Sequence, residues 1–171
     1  MKKFLNRAFI ALFAVAGLAF TACDDDDDNN PGTLAYYGDD YVQINGNRLT
    51  INEREPVRGS YDATNGAGWF AIPVVTLENG SVKKSTYKFS FTSPEQLKLG
   101  DDLATLFLTM QLEGASEGAL SYVSGSAVVV DVDYDRNPND RDFEILFTNL
   151  KMGTGDVSYT FNGKVDIEYY F

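Results

Sequence analysis

The stretch FAIPVVTLENGSVKKSTYKFSF, Phe70 to Phe91, decides the fold. Asn79-Gly80 near its middle is the dipeptide that best accepts positive φ at two successive positions, which a two-residue type I′ hairpin loop requires. That loop pairs Ile72 with Tyr87 and Phe70 with Phe89. Apolar residues then share one face of the hairpin, while Lys84, Thr86 and Lys88 line the other face of the return strand. Pro73 cannot donate to a ladder, so it predicts a bulge or a sheet edge nearby.

The same period of two continues outward. Tyr41 to Ile51 reads as a second hairpin. A Gly46-Asn47 loop sets Ile44 against Leu49 and Val42 against Ile51, and is preferred to an Asn45-Gly46 loop that faces Ile44 with Asn47. Ser93 to Leu97 reads as one helical turn with Ser93 as cap, stopped by Gly100. Leu103–Leu112, Ser126–Tyr134 and Phe143–Leu150 read as strands, with Val128, Val130, Val132 and Tyr134 on one face opposite Asp131 and Asp133. At the end, Val157–Phe161 and Val165–Phe171 pair across a three-residue Asn162-Gly163-Lys164 loop. About eight to ten short antiparallel strands and no long amphipathic helix predict an all-β fold. The expected architecture is a single-domain antiparallel β-sandwich, with a lipocalin-like closed barrel as the alternative.

The amino-terminal residues differ in kind. Lys2, Lys3 and Arg7 precede an uncharged apolar run, Ala8–Phe20, too short to span a bilayer as a helix and therefore read as an export signal. Thr21-Ala22 leads into Cys23, the one cysteine of the chain, and then five aspartates, Asp24–Asp28. This arrangement resembles the lipobox of bacterial lipoproteins, and the acidic run resembles the surface-export signal of Bacteroidetes lipoproteins. The resemblance implies lipidation of Cys23, cleavage just before it, and an outer-membrane protein anchored by lipid and facing the cell exterior. The body resembles the small all-β lipoproteins of that group. The expected organisation is a signal peptide over 1–22, an acidic flexible tether over 23–33 and an all-β domain over 34–171.

Charge and composition narrow the chemistry. The formal net charge is −11; without the three signal cations it is −14, and without the five aspartates of the tether −9. An acidic body repels phosphate backbones, which argues against nucleic acid as a partner. The chain has no histidine, so Ser-His-Asp and Cys-His nucleophilic sites are excluded.

Three candidate sites remain. Asp133, Asp135, Asn137 and Glu144 match the first, third, fifth and twelfth positions of an EF-hand calcium loop, but Pro138 stands where that loop needs glycine. The expectation is no cofactor and a polar connection between strands, with an irregular calcium site as the alternative. Trp69, Tyr36 and Tyr37 are candidates to stack on a sugar ring, although Trp69 lies in an apolar strand where sheet packing is the plainer reading. Paired carboxylates in a cleft would make a hydrolase, and one sequence does not show two converging. The alternation Val165, Ile167, Tyr169, Phe171 resembles the closing strand of an outer-membrane barrel, but a lipid anchor would be redundant on one. The expected function is a cell-surface binding or accessory protein, its partners the membrane through lipid and a glycan or a surface protein. A subunit of a fimbria-like surface assembly is the structural alternative.

Overall fold

The computed structural model describes residues 34–133 and 141–169, together with which strands pair and in what register. The lipidation candidate Cys23 and the calcium candidates Asp135 and Asn137 lie outside these residues. Among the described residues nine strands form one sheet that closes on itself: β1 (Tyr41–Ile44), β2 (Asn47–Ile51), β3 (Arg58–Asp62), β4 (Ala67–Glu78), β5 (Ser81–Thr92), β6 (Thr109–Leu112), β7 (Leu120–Asp133), β8 (Arg141–Thr154) and β9 (Val157–Tyr169). Strands β4 to β9 follow one another around the wall. The interval between β9 and β4 is filled twice: by the β1–β2 hairpin at one level, and at the other by β3, which pairs with β4 antiparallel and with β9 parallel. The fold is thus all-β and a closed barrel, the alternative and not the expected β-sandwich, because β9 is joined back to β4 through both β1–β2 and β3 and leaves one continuous wall where a sandwich has two sheets.

The β4–β5 hairpin is the one expected. Ile72 faces Tyr87, Phe70 faces Phe89, and Asn79 and Gly80 take φ of 52° and 76°. Pro73 causes no bulge. Its carbonyl accepts from Asn52 N–H, so its missing donor points to the edge of β4 where the neighbouring strand changes from β3 to β2.

Other local readings are corrected. In the first hairpin the loop is Asn45-Gly46, with Ile44 opposite Asn47 and Val42 opposite Leu49. The Asn45 amide and side chain both bond to the Thr160 backbone, which locks this register to β9. Ser93–Leu97 is not a helical turn: the Ser93 hydroxyl donates to the Glu95 carbonyl, and Leu97 is buried. A 3-10 turn occurs instead at Leu103–Thr105, where the Asp102 carboxylate accepts from Ala104 N–H and Ala127 N–H and ties the turn to β7. In β7 the inward residues are Ala127 and Val129; a bulge before Asp131 then turns Val132 toward the core. The final hairpin does not exist. Phe161, Gly163, Val165 and Ile167 share one parity, so β9 runs straight through Asn162-Gly163-Lys164, and the true turn is Gly155-Asp156 between β8 and β9.

The interior is filled with side chains. Phe70 and Phe89 stack with centroids 4.9 Å apart, Phe147 lies 5.6 Å from Phe89, and Phe161 meets Phe89 edge-on at 5.1 Å. All four are buried. Such rings each remove a large apolar area from water and prefer offset or edge-on contact. Leu97, Leu103 and Leu108, on the segment between β5 and β6, join the same core. Outward positions along β5, β8 and β9 carry Lys84, Lys88, Glu144, Lys164 and Glu168. That polarity is the reverse of a lipid-embedded barrel, whose outer band is apolar.

Candidate ligand groove on the outer wall

Because alternate residues of a strand face opposite sides, placing Phe70 and Ile72 in the core turns Trp69, Ala71 and Pro73 outward. Register then decides their company. Trp69 lies between Ser60 of β3 and Ser90 of β5, and Ala71 between Arg58 and Lys88. Small neighbours leave the indole standing in a groove of about 380 Å³ on the outer wall. Arg54, Glu55 and Pro56, from the connection between β2 and β3, form one bank; Thr86, Lys88 and Glu113 form the other. Glu113 is held there by its N–H, which donates to the Thr86 carbonyl at 2.9 Å.

Two of the groove's cations, Lys88 and Arg54, lie against aromatic rings. Lys88 Nζ lies 4.6 Å from the Trp69 ring centroid. The Arg54 guanidinium lies 3.1 Å from the Tyr36 centroid and 5.4 Å from that of Tyr37, in the 3-10 turn Leu34–Tyr37. Tyr36 and Tyr37 meet edge-on at 5.6 Å. Arg54 therefore joins the two tyrosines to the groove that holds Trp69, and the three aromatic candidates occupy one side of the barrel. Behind this side, Asn52 is 1% exposed and neither its side-chain oxygen nor its nitrogen has a protein partner.

The groove's basic and acidic residues were not singled out in the sequence. The outward parity of Lys88 was legible, but Arg54 and Arg58 reach the groove through the β3–β4 pairing and the loop before it, and Glu113 through the β5–β6 pairing, for which the sequence carries no local signal.

The acidic candidates lie elsewhere. On the outer face of β7, β8 and β9 the register aligns Asp131, Glu144 and Asp166 in one row and Asp133, Asp142 and Glu168 in the next. Lys164 Nζ donates to both oxygens of Glu144, at 2.8 and 2.9 Å. Burial pushes the Asp166 pKa up, and the negative charges of Asp142, Glu144 and Glu168 push it further. Glu144 is a strand residue of β8, so the EF-hand window does not remain a loop to its twelfth position. Among the described residues no group of three or more carboxylates is arranged to hold a metal ion.

No protein-family model matches the chain, and no curated protein or solved structure matches it significantly.

Proposed function

We propose that the protein is a lipid-anchored surface protein that binds a saccharide in the groove around Trp69. The observation that carries this reading is the outward indole, with the small residues Ser60 and Ser90 directly opposite it on the neighbouring strands. An aromatic face with small neighbours accepts the apolar face of a sugar ring, and nearby hydroxyls and carboxylates bond its hydroxyl groups. The Lys88 ammonium over the ring is displaceable, since a cation–π contact at a partly exposed site is worth only about 0.5–1 kcal/mol. The assembly reading would draw support from an incomplete wall awaiting a strand, and the described wall closes.

Trp69 is the single tryptophan of the chain, so its fluorescence reports on the groove without interference. Titration with tetrasaccharides should give a saturable change in its emission, and isothermal calorimetry should give the same affinity. Trp69→Ala should abolish the calorimetric signal while changing stability by less than about 1 kcal/mol, as expected of a residue outside the core. Full binding by Trp69→Ala would remove the groove from consideration.

A further inference from the structure

We infer that the groove selects acidic saccharides, chains bearing uronic-acid carboxylates or sulfate esters, and that Lys88 makes the selection. The inference rests on the reading of the groove as a sugar platform and names the ligand class. Its first support is a contrast in how cations are used. Lys83, Lys84, Lys98 and Lys164 are each paired with a glutamate. Among the described residues Arg54 and Lys88 form no ion pair, a state they share with Arg48 and Lys151, but they are the two brought together at one groove. Both are placed at the groove by aromatic contacts instead. The groove thus sets the cations Arg54, Arg58 and Lys88 against two carboxylates, Glu113 and a Glu55 already paired with Lys84, a small positive excess on an acidic protein.

The second support is the position of the Lys88 ammonium over the indole. A sugar that stacks on this face must first move the ammonium. A neutral sugar takes the ring and leaves the cation nothing in return. An anionic sugar takes the ring and supplies the displaced ammonium with a carboxylate or sulfate, a stronger, charge-assisted partner. The same lysine therefore penalises neutral ligands and rewards anionic ones, so selectivity contains a repulsive as well as an attractive element.

The test compares tetragalacturonate with neutral β-1,4-galactotetraose, read by Trp69 fluorescence and by calorimetry at low and at elevated NaCl. Tetragalacturonate is expected to bind at least tenfold tighter, with affinity falling as salt rises. Lys88→Gln should weaken tetragalacturonate about tenfold and leave galactotetraose unchanged or tighter; Arg54→Gln should weaken the anionic ligand alone. Lys151→Gln, outside the groove, should alter neither. Equal affinity for the two wild-type ligands, or a Lys88→Gln loss shared by both, overturns the selection and leaves the saccharide platform standing. Silence from both saccharides removes the platform and the selection together. A salt-sensitive response to polyglutamate in place of either saccharide makes the occupant an acidic peptide and also overturns the inference.

Discussion

Two walls of one barrel present opposite chemistry. On the β3–β4–β5 side the outward residues are an indole with small neighbours and cations held by aromatic rings. On the β7–β8–β9 side two successive rows of carboxylates face one another across three strands, with Lys164 bonded to Glu144 in one row. The inward faces of both walls contribute to the same aromatic core, so the fold does not dictate the difference. Like charges placed directly opposite one another across strands destabilise a sheet. Carboxylates are thus aligned in rows where they cost stability, while the groove sets Arg54, Arg58 and Lys88 against Glu55 and Glu113. An anionic ligand approaching the barrel meets repulsion on one side and attraction on the other.

The largest expected effect comes from altering the geometry that bends the acidic wall. Gly125 in β7 has φ of +86°, lies within the Ser124/Ser126 register shift, and faces the irregular Phe147–Leu150 segment of β8, where Asn149 also has positive φ. A Cβ at Gly125 would overlap the backbone of Asn149 and Leu150, which cannot rotate aside as a side chain can. Gly125→Ala should cost more than about 3 kcal/mol in urea melts, combining a forced left-handed conformation with a backbone clash. Gly80→Ala is the control. Its φ is +76° but its Cβ would meet nothing within 4 Å, so only the conformational term of about 1–2 kcal/mol should appear. Equal losses at the two sites would mean that the bend is not held by that close approach.

The opposite wall should respond in binding and not in stability. Trp69→Ala and Lys88→Gln should both melt close to wild type. A stability loss of several kcal/mol on removing Trp69 would make the indole a packing residue and dissolve the contrast between the walls.

How much of this was legible follows from the range over which each signal acts. The β4–β5 hairpin was readable to the residue because Asn79-Gly80 carries its own turn chemistry and every inward position on both arms agrees with it. The first hairpin was misread by choosing apolar pairing over turn preference, when Asn45-Gly46 satisfied the turn and β9 supplied the missing partner for Asn45. The end of the chain was misread because Asn162-Gly163-Lys164 has the composition of a loop. The unbroken parity of Phe161, Val165 and Ile167 was the better guide, and Gly163 takes a φ of +119° within the continuous strand. Closure into a barrel was not decidable, since period two is common to sandwich and barrel, and the deciding contacts are the two Cα pairs that join β1 to β9 and the parallel contact of β3 with β9. Trp69 was recognisable as a candidate from residue type and parity. Its open surroundings depend on Ser60, which reaches it through a strand that was not foreseen.

The smallest effect tests whether the carboxylate rows carry a cost. The folded-state pKa of Asp166 is raised, first by burial and then by Asp142 and Glu144, while the unfolded chain titrates near the ordinary value of about 3.9. Below the unfolded value both states hold the proton and the residue is neutral to stability. As pH rises from the unfolded value toward the raised folded one, the unfolded chain gives up its proton before the native state does, and the residue becomes progressively destabilising. Asp166→Asn should therefore raise stability at pH 7 by a few tenths of a kcal/mol, a small figure because the side chain is only partly buried and solvent screens the remainder. The gain should fade as the pH approaches about 4, where the wild-type carboxyl is itself protonated. Melting temperatures of both proteins across that interval check the sign. A loss of stability at neutral pH would show that Asp166 is held favourably charged, with the Lys164 ammonium nearby offsetting the row of carboxylates around it.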